Sequence, residues 1–208
     1  MDLGLKDKVV LCMASAAGLG KGIAAEMARE GAKVMICTSE AFKDQLYAAQ
    51  DEIEKETGNR PEAFLCDVNS GGDIQKLVDH TVETLGDIWA LVNMCPGPKP
   101  GPFDALNDAD WENAFQMCLL SYVRTIRACL PSMRRIGTAR INSLNAMRAE
   151  KAGISVADYE KEDLKSFPLG RYGTIDEYGR LAAFLCSEAN SYISGQTILL
   201  DGGMTRAY

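Results

Sequence analysis

Two glycines near the N-terminus, Gly18 and Gly20, have the spacing of a phosphate-binding turn. The turn, Ala14-Ser-Ala-Ala-Gly-Leu-Gly20, follows a strand-like apolar run and opens a helical run. At such a place the backbone can come close to a pyrophosphate, which the unpaired N–H groups and the positive dipole end of the helix would bind. The order strand, turn, helix predicts a dinucleotide site, with a tight turn that binds nothing as the alternative.

Side chains that could complete an enzyme site are harder to find. No Tyr-x-x-x-Lys pair occurs in the 208 residues. His80 is the only histidine, and it falls on the polar face of an amphipathic helical run, where we expect it to be solvated. Tyr159 and Lys161 are two residues apart and would point to different sides of a helix. Because His80 is the only histidine, no convincing Ser/His/Asp set can be built either.

An alternation of strand-like and helix-like runs must position these residues. Strand-like runs cover residues 9–13, 33–37, 62–66 and 89–93, and a last one covers 195–203. Helix-like runs cover residues 21–28, 41–56, 73–85, 108–134 and 182–187. The strands are nearly continuous apolar runs, as in a sheet covered on both faces. The pattern predicts an α/β fold with a doubly wound, Rossmann-like parallel sheet, as a single domain over residues 1–208.

Composition narrows the classes of partner. The net charge of −7 argues against nucleic acid and against an anionic membrane. No apolar run reaches the length of a membrane span, and the first residues lack the regions of a signal peptide. The seven cysteines are odd in number and contain no Cys-x-x-Cys pair. We therefore expect free thiols in a reducing cytoplasm and neither a disulfide framework nor a metal site.

Several segments, in the right order, resemble the short-chain dehydrogenase/reductase family, and most closely its 3-oxoacyl carrier-protein reductase-like branch. The residues from Met13 to Gly20 are similar to the family's Thr-Gly-x-x-x-Gly-x-Gly, and Asp67-Val68 to its Asp-Val pair. The segment 93–97, Asn-Met-Cys-Pro-Gly, occupies its Asn-Asn-Ala-Gly position. The segments 168–173 and 194–203 are similar to its C-terminal signatures.

The resemblance implies hydride transfer between NADP or NAD and a small carbonyl or alcohol substrate. It also implies a homotetramer or homodimer, with the long helix and the last strand at subunit contacts, for which Tyr122, Ile126 and Ile198 are candidates. The cofactor-binding positions that it implies are Ala14, Ala16, Gly18, Leu19, Gly20, Thr38, Ser39, Asp67, Val68, Asn93, Met94 and Cys95. The hydroxyls of Thr38 and Ser39, with no acid at position 38, favour NADP over NAD, although the usual arginine is absent at position 39 and Glu40 would repel a 2′-phosphate if it pointed inward.

Departures from the family pattern concern mainly the catalytic groups. Ala14 replaces the first glycine, a mild change because alanine is nearly as small. Cys118 stands where the family has a helix asparagine that anchors a proton-relay water, so it is either a modified relay or a small packed side chain. A thiol is a weak donor compared with an amide.

The family's Ser, Tyr and Lys should follow the long helix, but a segment is missing between about residues 137 and 150. Residues 141–145 resemble the strand after the missing βα unit. They could instead end the serine strand, which would make Ser143 the catalytic serine. Either a longer form of the protein carries the unit, or the deletion is real. A non-catalytic dinucleotide-binding or scaffold protein of the same fold is the alternative function.

Overall fold

The computed structural model describes residues 3–136, 140–143, 171–191, 193, 198 and 200. Five strands form one parallel sheet in the order β3-β2-β1-β4-β5. They are β1 (Val9–Cys12), β2 (Lys33–Thr38), β3 (Glu62–Leu65), β4 (Ile88–Asn93) and β5 (Arg140–Ser143). The order reverses direction at β1 and β4, so the carboxyl ends of these two strands flank the crevice in which such sheets bind ligands.

Helices connect the strands and cover the sheet. They are α1 (Gly18–Arg29), α2 (Lys43–Thr57), α3 (Gly71–Leu85), α4 (Asp108–Phe115), α5 (Ser121–Ile136) and α6 (Ile175–Cys186). A π-helical turn, Gln116–Leu120, joins α4 to α5, so the long helix predicted from the sequence is continuous but locally widened. None of the helices in the described part of the chain is long and apolar enough to cross a membrane.

Both faces of the sheet are buried, which confirms the doubly wound arrangement. Alternate side chains of β1 enter different clusters, because successive residues of a strand point to opposite faces. Val10 and Cys12 pack with α1, α2 and α6, whereas Val9 and Leu11 pack with α3 and α5. Burial on both sides explains why β1, β2 and β4 are mainly apolar.

Several element boundaries differ from the sequence prediction. Strand β1 ends one residue early, and Met13 lies beyond it with its N–H donating to the carbonyl of Val92 at 3.0 Å. Helix α6 begins seven residues before the predicted start, because Thr174 and Glu177 form a capping box that starts it. The predicted last strand, 195–203, falls largely outside the described residues.

The fifth strand falls within the segment for which two interpretations are open. Strand β5 pairs in parallel with β4, and the register places Ser143 opposite Asn93. The backbone of Ser143 therefore reaches the same edge of the sheet as the segment predicted to bind the nicotinamide. Residues 144–170, with Tyr159 and Lys161, lie outside the described part of the chain.

Candidate dinucleotide site

Helix α1 begins at the carboxyl edge of the sheet with an open N-terminus. Ala17, the residue before the helix, provides no side-chain capping bond, and the first turn contains no acidic side chain. Gly18 and Ala17 are both exposed. The first N–H groups of a helix have no partner within it. They and the helix dipole are therefore available to an anion, which is the property that a pyrophosphate site requires.

The two glycines of the turn are needed for different reasons. Gly18 has φ +57°, which L side chains rarely adopt, and a Cβ there would meet nothing within 4 Å. A Cβ at Gly20 would overlap the carbonyl oxygen of Ala14 in the turn itself. A side chain at Gly18 would therefore enter the open space beside the start of α1. Gly20 is required by packing within the turn.

Ala14 is more than a size-neutral replacement for the family's first glycine. Its φ is +47°, in the left-handed region. An alanine there costs roughly 1–2 kcal/mol, because its Cβ crowds the following carbonyl. The sequence analysis predicted a mild change because alanine is nearly as small as glycine. The structure shows that the energetic cost comes from the left-handed backbone conformation and not from the volume of the side chain.

Ser15 fastens the turn to the sheet, and sequence reasoning missed it. Its hydroxyl donates to the carbonyl of Cys12 at 2.7 Å and accepts from the N–H of Cys37 at 3.0 Å. Its own N–H donates to the carbonyl of Cys37 at 2.9 Å. The side chain is fully buried. The signal in the sequence that could have identified Ser15 was a single hydroxyl side chain in a turn otherwise made of apolar residues and glycine.

The end of β2 offers hydroxyls and little free negative charge. Thr38, the last residue of β2, is buried, and Ser39, which follows it directly, is half-buried. Glu40 is exposed, and its carboxylate pairs with Lys43 at 3.5 Å. The pairing reduces the repulsion that Glu40 would exert on a phosphate. Beside the turn, a cavity of about 200 Å³ extends between α1 and α2, and Lys21 and Glu52 form an ion pair at 2.5 Å among its lining residues.

After β3, the two residues of the predicted Asp-Val pair lie in different environments. The Asp67 carboxylate is exposed and accepts from the N–H of Asn69 at 2.9 Å, whereas Val68 is buried in the core. Of these two residues, only Asp67 therefore presents its side chain to solvent. Leu19 and Ala16, in the turn after β1, pack against the core beneath that turn.

The end of β4 is joined to the long helix. Asn93 is buried, and its amide nitrogen donates to the carbonyl of Tyr122 at 3.3 Å. Met94 is buried in the cluster beneath α1. Cys95 is half-buried, and its Sγ lies 3.8 Å from the Sγ of Cys118 in the π-helical turn. The predicted nicotinamide end thus consists of an amide, a core methionine and two thiols.

The environment of Cys118 raises the pKa of its thiol. Burial, and then the neighbouring Cys95, raises its pKa to about 11. Burial also raises the pKa of Tyr122, the next residue on this face of the helix, above its usual range. Both groups therefore keep their protons near neutral pH.

The sequence predicted that His80 is solvated, but the structure places it in a partly buried contact. It is half-buried, and its ring lies 5.1 Å from the ring of Phe64. It faces a helix–sheet contact away from the crevice. Within the described residues, no group of three or more His, Cys, Asp or Glu side chains could hold a metal.

Comparison with known proteins identifies the family. The family model for short chain dehydrogenases matches residues 8–160, and the model described as enoyl-(acyl carrier protein) reductase matches residues 140–205. The 7alpha-hydroxysteroid dehydrogenase of Escherichia coli K12 is 26% identical over 248 positions, covering 97% of this chain and 96% of that protein. The 3-oxoacyl-[acyl-carrier-protein] reductase of Staphylococcus epidermidis is 24% identical, covering 95% and 99%.

Solved structures agree with the fold. L-Sorbose reductase from Gluconobacter frateurii, solved with NADPH and L-sorbose, superposes with a TM-score of 0.89 at 20% identity and full coverage of both chains. A 7alpha-hydroxysteroid dehydrogenase solved with NADH gives 0.85 at 26% identity, covering 97% of this chain and 96% of that one.

The chain belongs to the short chain dehydrogenase family. Its members are NAD(P)-dependent oxidoreductases, and the chain is one of them. The predicted family, fold and use of NADP or NAD are therefore confirmed.

Proposed function

We propose that the crevice at the ends of β1 and β4 binds NADP(H) and a small carbonyl or alcohol substrate. The observation that carries this proposal is the open N-terminus of α1 beside Gly18, where the space that a side chain would fill is empty. Open space alone is not distinctive, because Gly58 at the end of α2 has it too, but at Gly18 it lies beside the uncapped N–H groups of a helix start. The bound dinucleotide supplies or accepts the hydride, and the protein supplies position.

Each side of the crevice has a distinct binding task. The N–H groups of Gly18, Leu19 and Gly20 bind the pyrophosphate, and the hydroxyls of Thr38 and Ser39 bind the ribose end. Asp67 and the segment that begins at Asn93 border the adenine and the nicotinamide. The preference for NADP(H) is supported by the hydroxyls and by the pairing of Glu40 with Lys43, which partly neutralises the nearest carboxylate.

The proton that accompanies the hydride requires a separate group. Ser143 is our candidate for orienting the substrate oxygen, because its backbone lies opposite Asn93 in the sheet. A Tyr-x-x-x-Lys pair is absent from the sequence. General acid–base catalysis contributes roughly 10²–10⁴-fold to a rate. We therefore propose that full activity belongs to a form that carries the missing βα unit.

The lengths of the relatives support a missing internal unit. The alignment with the E. coli dehydrogenase extends over 248 positions and uses nearly all of this 208-residue chain, so that protein has residues without a counterpart here. Mass spectrometry of the natural protein tests this. We expect an intact mass above 22.6 kDa, and a contiguous chain of that mass would contradict a longer form.

Titration and turnover together test the function. We expect the 208-residue protein to quench or enhance NADPH fluorescence on binding, with weaker binding of NADH. Turnover is then measured with a 3-oxoacyl thioester, a keto sugar and a keto steroid, the substrate types of the relatives. Equal or tighter binding of NADH would contradict the cofactor preference. Binding of NADPH with no turnover of any substrate would leave only the non-catalytic function for this form.

We also propose that the protein assembles through the long helix. Four apolar residues spaced by four positions form what we call the apolar helix face: Trp111, Phe115, Leu119 and Val123, which are 50%, 52%, 51% and 38% exposed. A soluble monomer seldom exposes such a continuous patch. The face favours a homodimer or homotetramer. Tyr122 and Ile126, the contacts suggested from sequence, are half-buried.

A cytoplasmic location is our further proposal. All seven cysteines are free, and five of them are buried in the core. Free thiols are typical of a reducing compartment. Fractionation of the source cells would test it.

A further inference from the structure

The two partly exposed cysteines of this protein are also neighbours. Cys95 follows β4, and Cys118 lies in the π-helical turn between α4 and α5. They are 23 residues apart in the chain, and their Sγ atoms are 3.8 Å apart. That distance brings the two thiols into direct contact, and a disulfide of about 2 Å requires the two sulfurs to approach each other further.

The remaining cysteines are chemically protected. Cys12, Cys37, Cys66, Cys129 and Cys186 are all buried. Burial raises the pKa of Cys37 and of Cys129 to about 12. The thiolate is the reactive form of cysteine, so these thiols are inert at neutral pH. Among the seven, only the pair at the crevice combines access to solvent with a second thiol in contact.

We propose that Cys95 and Cys118 are an oxidisable dithiol that hydroperoxides convert to an intramolecular disulfide. In the first step, the thiolate sulfur of one cysteine attacks a peroxide oxygen and the O–O bond breaks. A sulfenic acid forms, and the leaving oxygen takes up the proton that the thiol had released and departs as water or an alcohol. In the second step, the other thiol attacks the sulfenic sulfur and the S–S bond forms. The sulfenic oxygen leaves as water with the thiol proton. The two thiols lose two electrons, and the peroxide gains them.

Cys118 is disfavoured as the thiol that reacts first. Burial and the adjacent Cys95 raise the pKa of Cys118 to about 11, which disfavours its thiolate. Cys118 then acts as the resolving thiol, because it is already in contact with the sulfur that becomes oxidised.

The disulfide would alter the nicotinamide end of the crevice, a consequence that rests on the proposed function. Cys95 lies two residues after Asn93, whose amide holds the long helix through the carbonyl of Tyr122. Tyr122 also contacts Cys95 directly. Drawing the two sulfurs from 3.8 Å to a covalent bond of about 2 Å pulls this segment toward the π-helical turn. We expect the affinity for NADPH to fall severalfold on oxidation and to recover on reduction.

The test begins with the unaltered protein, so it does not depend on a variant that folds. Reduced protein is treated with hydrogen peroxide, alkylated and digested. We expect an intact mass lower by two hydrogens and a cross-linked peptide joining Cys95 to Cys118, both reversed by dithiothreitol. Absence of that peptide, or a disulfide that joins other cysteines, would overturn the proposal.

Variants separate the pair from general oxidation. C95S and C118S should each lose the disulfide. C129A, which removes a buried cysteine of the same long helix, should keep it. Each variant is titrated with NADPH before and after peroxide and compared with itself. Cross-linked protein with unchanged NADPH affinity would refute the coupling to the crevice. If the proposed function fails because NADPH never binds, the peptide map still decides whether the dithiol exists.

Discussion

The two ends of the crevice lie on neighbouring strands but follow the family pattern to different extents. At the end of β1, the turn keeps its geometry even though Ala14 replaces a glycine, and Ser15 fastens it to β2. At the end of β4, two thiols stand in contact where the family has an alanine and an asparagine. In our proposal, the phosphate end binds through backbone N–H groups, which tolerate many sequences. The nicotinamide end depends on particular side chains, and no backbone arrangement replaces a lost proton donor.

The largest effect should come from blocking the phosphate end. Gly18→Val should weaken NADPH binding by about 100-fold or more, or ~2.7 kcal/mol, because its side chain would enter the open space at the start of α1. Gly58→Val is the matched control. Gly58 also has a positive φ, +73°, and open space around it, but it ends α2. Both variants carry backbone strain, and only the first should lose binding. A folded Gly18→Val protein with normal affinity would show that the turn is purely structural.

The next effect concerns the helix that carries Cys118. Phe115→Asp places a charge in the apolar helix face and should convert the assembly to monomers at micromolar concentration, as measured by light scattering. Tyr47→Asp is the control, because Tyr47 is an aromatic residue of α2 that is 43% exposed outside that face. A wild-type protein that is already monomeric would contradict the proposed interface.

The fastening of the turn can be measured as stability. Ser15→Ala removes a buried hydroxyl and leaves the carbonyl of Cys12 and the N–H of Cys37 without this partner. We expect a loss of ~1–3 kcal/mol in the free energy of unfolding, measured with urea in the absence of cofactor. Ser39→Ala, at the end of β2 and without a capping bond, should change it far less. Equal losses for the two variants would mean that the fastening contributes little.

A smaller effect should have the opposite sign. Ala14→Gly relieves the left-handed strain at φ +47°. The gain of roughly 1–2 kcal/mol is offset by about 0.4–1 kcal/mol of added freedom in the unfolded chain, so the protein should become slightly more stable. Thermal unfolding measures this. Ala48→Gly, at an exposed position inside α2, should instead lose about 1 kcal/mol. A loss for both variants would refute strain at Ala14.

The smallest effect concerns α6, which packs behind α1. The Arg171 guanidinium, and then the N–H of Thr174, lowers the pKa of Glu177 from its ordinary 4.5 to about 2. The folded pKa lies below the unfolded one, so this contribution is fully present above about pH 4.5 and is lost as the pH falls toward 2. The stability difference between wild type and Glu177→Gln, measured with urea, should shrink over that window. Because the pair is exposed, the effect is small. A difference that is constant with pH would contradict it.

Much of the fold could be predicted because its signals are local. The apolar runs of the strands and the 3–4 spacing of apolar residues in α3 can each be recognised from a few neighbouring residues. The start of α6 was missed because its capping box, Thr174 and Glu177, lies in a polar segment before the apolar run. The π-helical turn has no periodic signal of its own. The cofactor-binding positions came mainly from the family resemblance, and their individual roles still await the experiments above.

The sequence by itself determined the alternation of strands and helices, the dinucleotide turn and the absence of a Tyr-x-x-x-Lys pair. Only the tertiary structure decided that Ala14 is left-handed, that Ser15 joins β1 to β2, and that Cys95 meets Cys118. The physical reason is range. Periodicity and turn chemistry act between residues close in the chain, whereas these contacts depend on how strands and helices pack across the sheet.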